Sequence, residues 1–158
     1  EPDPNLYKIA ISNINLNPGL NNNIKFKNYA IGEDGIIDFP LDQNSSGGSS
    51  AYDIGGKKTI KVKSKSISSI IKEFNIYHPH LLDLDIKGKE FEVINDSSLS
   101  KFNIVRIEYS TIINGKKIGD RKEIVDKLKK YGFKKFRIFK HNEGIYDLND
   151  HGTIEAIK

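Results

Sequence analysis

Strand patterns and helix patterns alternate along this chain of 158 residues, and that alternation restricts its fold more than any other feature. Short apolar runs typical of strands are followed by amphipathic stretches with helical spacing. The sequence predicts helices at residues 4–16, 66–76 and 89–99, strands at residues 81–86 and 104–109, and a closing hairpin of strands at residues 136–139 and 152–157. Such an order predicts a single α/β domain over residues 1–158, with a mostly parallel sheet that ends in a C-terminal antiparallel hairpin.

Two regions outside this alternation have simpler patterns. Residues 24–31 and 36–39 have strand patterns on either side of a turn, and we expect them to pair as a hairpin. Residues 43–56 are rich in Ser and Gly, which is typical of a surface loop or of a loop that becomes ordered over a ligand. Asp120 and Glu123 match a capping box, so we expect a helix to begin after Asp120.

The composition excludes several classes of protein. The chain is 37% apolar and 29% charged, which is typical of a soluble domain. It has no Cys, which excludes disulfides and thiolate metal sites. No apolar run reaches the roughly 18 residues that a membrane span needs, and no secretory leader opens the chain, so we expect a cytoplasmic protein.

The net charge of +4 raises the question of a nucleic acid partner. The main cluster of positive charge consists of Lys57, Lys58, Lys61, Lys63 and Lys65. Three of these lysines alternate with other residues at residues 59–65, which favours the solvent face of a half-buried strand over a nucleic acid site. The segment His78-Pro79-His80 has no third ligand near it in sequence and favours a surface turn over a metal site.

Four segments, taken in chain order, resemble motifs of the FkbM family of methyltransferases. Residues 1–17 begin EPDPN and end NINLN, which is similar to EPxPxxxxxLxxNxxxN in that family, and residues 28–35 (NYAIGEDG) are similar to its NxAIGxxxG turn. Residues 82–94 (LDLDIKGKEFEVI) resemble its llKiDvEGxExxvl core, and residues 104–108 (IVRIE) resemble the strand that follows. The resemblance covers nearly the whole chain and implies a Rossmann-like class I methyltransferase sheet that uses S-adenosylmethionine.

The resemblance also implies which residues bind the cofactor. Glu1 matches the acid that binds the ribose hydroxyls, and a carboxylate can accept two hydroxyl hydrogen bonds at once. Pro2 and Asn28 match positions near the adenine, and Gly88 would let the backbone turn close to the cofactor. No metal is implied.

The remaining candidate residues concern the acceptor. Asp85 matches the carboxyl end of a strand, where ligands bind in open α/β sheets, and it would orient the acceptor hydroxyl or serve as general base. The alternative is that Asp85 is only a helix N-cap. Lys87 and Glu108 are expected to contact the acceptor, although Glu108 could instead pair on the surface with Arg106 or Arg121.

The sequence departs from the family pattern at three points. Asp83 and Lys87 stand where the family has Lys and Glu, so we expect the pair to form an ion pair in the reversed sense. Ser68 stands where the family often has an acid before a helix. The Gly-rich turn of the family's first strand (DvGAnxG) has no counterpart, the sequence contains no Met, and residues 1–4 read like the middle of a domain. We therefore expect the domain to be incomplete at its N-terminus.

These features predict a methyltransferase that transfers a methyl group from S-adenosylmethionine to a hydroxyl of a small molecule or sugar. The first alternative is a non-catalytic module that keeps the fold and binds a carbohydrate, nucleotide or protein. The second is an RNA methyltransferase, which is disfavoured because the lysines lack interleaved aromatic residues on which bases could stack. A membrane partner is not expected.

Overall fold

A computed structural model describes residues 1–19, 23–41, 58–113, 115–140 and 150–158. The predicted loop at residues 43–56 and Lys57 lie outside these residues. The helices are α1 (Pro4–Asn15), α2 (Ile67–Glu73), α3 (Glu90–Val93) and α4 (Arg121–Lys130), with a 3₁₀ helix at Ser97–Lys101. The strands are β1 (Ala30–Ile31), β2 (Gly35–Pro40), β3 (Thr59–Lys65), β4 (Leu81–Leu84), β5 (Ile104–Ser110), β6 (Ile112–Ile113), β7 (Lys116–Lys117), β8 (Lys135–Phe139) and β9 (His151–Ile157).

The larger sheet has the strand order β4-β5-β9-β8. Strands β4 and β5 are parallel, and β9 pairs antiparallel with both β5 and β8, which confirms the predicted C-terminal hairpin. Every second side chain of β5 and β9 lies in the core, as the two-residue period of a strand requires. The apolar faces of α2, α3 and α4 cover these side chains and form one hydrophobic cluster with them.

The opposite face of the larger sheet carries a row of alternating charges. Asp83 lies directly opposite Arg106 in the β4–β5 register, at 3.4 Å between Oδ2 and Nη1. Arg106 is followed across β9 and β8 by Glu155 and Arg137, which are 3.3 Å apart. The predicted ion pair between Asp83 and Lys87 is therefore wrong, because cross-strand register gives Asp83 a cation on the neighbouring strand.

The smaller sheet has the strand order β1-β3-β2, with β1 parallel and β2 antiparallel to β3. The predicted hairpin between residues 24–31 and 36–39 is wrong, because β2 pairs with β3 and residues 24–29 form no strand. The six-residue ladder between β2 and β3 puts Phe39 and Val62 on one buried face. The prediction for the lysines is confirmed at Lys61 and Lys63, which lie exposed on the other face of β3.

The described residues form a mixed α/β fold with small mixed sheets. Two of their strand pairs are parallel and four are antiparallel, so the expectation of a mostly parallel sheet is wrong for this part of the chain. The four antiparallel pairs are β2 with β3, β9 with β5, β8 with β9, and β6 with β7. Both β1 and β4 are edge strands here, and no ladder in the described ranges joins the two sheets.

Aspartates stand at helix starts, and one of them explains a further difference from the sequence patterns. The predicted helix at residues 89–99 is interrupted, because Asp96 accepts a hydrogen bond from the Ser98 amide and starts the 3₁₀ helix. Asp96 also accepts a hydrogen bond from the Ser68 amide at 2.9 Å. A free amide in the first turn of α2 is therefore bound by a carboxylate that lies outside this helix. At α4, Asp120 caps the Lys122 amide at 2.8 Å, as the capping motif predicts for this residue.

Candidate functional site

A cleft of about 380 Å³ lies between the start of α1, the smaller sheet and the turn that follows β4. It brings together four of the residues that the sequence singled out, namely Glu1, Pro2, Asp85 and Lys87. The other lining residues are mostly apolar and comprise Leu6, Ala30, Ile31, Ile37, Phe39 and Ile86, with Asp3, Tyr29 and Lys89. An apolar wall with a few polar groups at its rim is the usual composition of a small-molecule site.

Asn28 binds the backbone of two residues that line this cleft. Its side-chain amide donates hydrogen bonds to the backbone oxygens of Glu1 at 2.8 Å and Pro2 at 3.0 Å. The Glu1 carboxylate accepts a hydrogen bond from the Asp3 amide at 2.9 Å, and Asp3 in turn caps α1. The predicted residue Asn28 therefore holds the segment that carries Glu1 and Pro2, rather than lining the cleft itself.

Replacing Asn28 with Ala is expected to lower the free energy of unfolding by about 1–2 kcal/mol, because the partly buried Pro2 carbonyl and the exposed Glu1 carbonyl both lose their donor. Urea denaturation of the purified protein measures this change. A suitable control is Asn95→Ala, which removes one exposed bond from the turn after α3 to the Phe91 oxygen. A loss no larger than that of the control would mean that Asn28 does not hold the first two residues.

The turn after β4 carries Asp85, Lys87 and Gly88. Lys87 and Gly88 both have positive φ angles, 54° and 105°, so the backbone turns sharply there. The Lys87 ammonium is 3.4 Å from Asp85 and 3.7 Å from Glu108 on β5, which makes it the cation between two carboxylates. The alternative role of Asp85 as a helix N-cap is wrong, since the residue at the N-cap of α3 is Lys89.

This cluster of charges continues beyond the cleft. Glu108 lies 3.9 Å from His151 Nε2, and the other ring nitrogen of His151 is 2.8 Å from the Ser110 hydroxyl. Glu108 is thus connected to the cleft through Lys87 and does not line it. Gly88, which is part of the turn itself, is buried.

Glu90 is a site residue that the sequence patterns missed. Only 1% of its surface is exposed, and its carboxylate accepts hydrogen bonds from the backbone amides of Ile86 and Gly88. Burial, with a smaller contribution from the nearby Asp85, raises the pKa of Glu90 to about 7 against the opposing effect of these amides. The available signal was the family motif itself, whose GxE aligns with residues 88–90, whereas the helix pattern alone would place Glu90 on the surface.

Strand β3, which carries Lys61, Lys63 and Lys65, also has an aromatic neighbour that is distant in sequence. The ammonium groups of Lys63 and Lys65 lie 5.4 and 5.6 Å from the ring centre of Tyr29, within cation–π range. The Tyr29 hydroxyl donates to Glu73 at 2.8 Å, and this bond raises the pKa of the phenol. No aromatic residue is interleaved with these lysines in the sequence, but the fold brings Tyr29 from the cleft wall to two of them.

The predicted histidine turn is on the surface, with His78 and His80 exposed and Pro79 buried between them. Within the described ranges, no group of three or more His, Asp or Glu side chains is arranged to hold a metal ion. Nor does any helix in those ranges combine the length and apolar character that crossing a bilayer requires.

The geometry defines a mixed α/β protein with a ligand-sized cleft between two sheets, lined by carboxylates and apolar side chains. Residues 1–135 match the family described as the methyltransferase FkbM domain. The chain belongs to this family, which confirms the resemblance and identifies the chain as a methyltransferase domain. Comparison with curated proteins and with solved structures finds no match.

Proposed function

We propose that this protein transfers a methyl group from S-adenosylmethionine to a hydroxyl of a small molecule or sugar. The observation that carries the proposal is the cleft itself, because it brings Glu1 and Asp85 to one space although 84 positions separate them in the sequence. The strand order β4-β5-β9-β8 supports a Rossmann-like relationship, since it joins a parallel pair to a closing antiparallel hairpin. Ile31 of the smaller sheet packs against the larger core, which supports a single domain.

The residues of the cleft fit the proposed cofactor. A volume of about 380 Å³ lies within the range of ligand pockets. The Glu1 carboxylate, at the rim, suits a pair of ribose hydroxyls, and apolar residues such as Pro2 and Ile31 suit an adenine ring. Asn28 would fix Glu1 and Pro2 in place, and the buried Gly88 would keep the backbone close to the ligand.

The chemistry asked of the chain's own residues is modest. S-adenosylmethionine, when bound, supplies a methyl group on a positively charged sulfur, and the enzyme's main task is to align the acceptor with it. Asp85 would hold the acceptor hydroxyl and take its proton. Lys87 would orient the Asp85 carboxylate, and Glu108 would hold Lys87 from the other side. Lys87 also lines the cleft, so its ammonium can reach an acceptor oxygen.

Isothermal titration of the full-length protein with S-adenosylhomocysteine tests the proposal. We expect saturable binding, and we expect Glu1→Gln to weaken it about 10- to 100-fold, because a hydrogen bond to a charged group is worth about 1.5–3 kcal/mol. The matched control is Glu33→Gln, an exposed residue of the turn before β2 that does not line the cleft. Absence of binding at millimolar ligand would contradict the proposal and favour the non-catalytic module.

One observation favours an RNA acceptor as the second candidate. Tyr29 lines the cleft and carries Lys63 and Lys65 over its ring, so a basic surface with an aromatic side chain lies beside the site. RNA binding whose affinity falls steeply with salt would support this candidate. RNA binding that is weak at every salt concentration would instead favour the small-molecule acceptor.

A further inference from the structure

Glu90 is a buried ionisable side chain for which the proposed chemistry has no use. It is the first residue of α3, a helix of only four residues, and it points back beneath the turn that carries Asp85 and Lys87. Burying a carboxylate in apolar surroundings is costly unless hydrogen bonds compensate for the lost water. The compensating bonds identify what this side chain does.

The two carboxylate oxygens of Glu90 bind two backbone amides on either side of Lys87. Oε1 accepts from Ile86 at 3.2 Å, and Oε2 accepts from Gly88 at 2.7 Å. Strand β4 ends at Leu84, so these amides lie beyond its ladder with β5 and need other acceptors. The Glu90 side chain thus provides the hydrogen-bond acceptor for both amides.

The backbone between these amides is in a conformation that needs support. The φ angle of Lys87 is 54°, in a region that costs a residue other than glycine about 1 kcal/mol or more. Gly88 follows with a φ angle of 105°. The Glu90 carboxylate spans this sharp turn and favours it over more extended alternatives.

We propose that Glu90 is a positioning residue, which fixes the turn at residues 85–88 so that the Asp85 carboxylate and the Lys87 ammonium face the cleft. The link to cofactor and acceptor rests on the proposed function, whereas the clamp on the turn does not. Glu90 does not line the cleft, so it acts through the residues that do.

The test compares Glu90→Gln with Glu123→Gln, an exposed residue of α4 remote from the turn. Glutamine has the shape of glutamate but offers only one acceptor oxygen, so one amide loses its partner. In ¹H–¹⁵N correlation spectra we expect the amide signals of Ile86 and Gly88 to move in Glu90→Gln and to stay unchanged in the control. Because Gly88, which the proposed function assigns to the cofactor, is one of the two residues held, affinity for S-adenosylhomocysteine should fall at least about tenfold in Glu90→Gln, with the unfolding transition still cooperative.

A pH titration of the same amide signals keeps the proposal testable if Glu90→Gln does not fold. In the unaltered protein the signals of Ile86 and Gly88 should move together with one midpoint as Glu90 ionises. The other charged or titratable groups near the turn are Asp85, Lys87, Lys89 and Glu92 on the same segment, and Glu108 and His151 on the neighbouring strands. A midpoint that persists in Asp85→Asn, Glu92→Gln, Glu108→Gln and His151→Gln, each measured separately, belongs to Glu90.

Two results would overturn the proposal. One is a folded Glu90→Gln protein with unchanged Ile86 and Gly88 signals and unchanged affinity for S-adenosylhomocysteine. The other is a pair of amide signals that do not respond to pH in the unaltered protein. If the unaltered protein fails to bind S-adenosylhomocysteine, the proposed function fails, and the spectra still decide whether Glu90 holds the turn.

Discussion

Replacing Asp85 with Asn is expected to lower the rate of methyl transfer at least about 10²-fold, the usual contribution of a general base. The affinity for S-adenosylhomocysteine should stay within about threefold, because the cofactor contacts are assigned to Glu1, Pro2 and Gly88. The side chain of Asp85 is half exposed, at 52%, and held by Lys87 at 3.4 Å. An asparagine in this place keeps the shape of the carboxylate but cannot take a proton from the acceptor.

The matched control is Asp83→Asn. Asp83 lies two residues earlier and is equally exposed, at 52%, but its carboxylate pairs with Arg106 on the charged face of the sheet. Both rates are measured with radiolabelled S-adenosylmethionine and a panel of sugars and small molecules that carry hydroxyl groups. Equal rates in the two variants would remove Asp85 from the chemistry, even if cofactor binding is intact.

Stability is expected to fall as the pH rises from about 4.5 to about 7, because of Glu90. Its pKa is raised from 4.5 in the unfolded chain to about 7 by burial, so in this range the folded state holds a proton that the unfolded state has released. Stability decreases with pH wherever the folded state binds more protons. A pKa difference of this size corresponds to about 3 kcal/mol, lost progressively across the window and constant above it.

Urea denaturation at a series of pH values measures this loss, with Glu90→Gln as the reference. Other groups titrate in the same range, so the expected result is a difference in slope between the two proteins rather than an absolute slope. Glu123→Gln should follow the unaltered protein. If the unaltered protein and Glu90→Gln show the same dependence on pH between 4.5 and 7, Glu90 is not a buried acid with a raised pKa.

The elements that the sequence predicted best are strands in which apolar and polar residues alternate clearly. The strands predicted at residues 104–109 and 152–157 match β5 and β9 to within one residue at each end, because a two-residue period needs no knowledge of distant partners. The predicted partner of β2 was wrong because residues 41–58 separate it from β3 in the sequence. A local pattern favours the nearest segment, but only residues 30–31 of that segment form a strand, and they pair with β3.

The candidate site shows the same limit. The family motif pointed to Glu1, Pro2, Asp85 and Lys87, which the fold brings into one cleft. Ile37 and Phe39 complete its wall from β2, and their contribution follows from the pairing that the sequence did not predict. Glu90 was missed for a different reason, since nothing in a helical pattern says that an acid will turn back to bind the amides of the preceding turn.

The row formed by Asp83, Arg106, Glu155 and Arg137 has a consequence for the electric field around the molecule. Two positive and two negative side chains alternate along it, so each charge is neutralised by its neighbours within a few ångströms. The surplus of +4 therefore originates elsewhere in the chain. A negatively charged molecule that diffuses towards this protein would feel little pull from this row, and its long-range guidance would come from other basic regions, including the exposed lysines of β3.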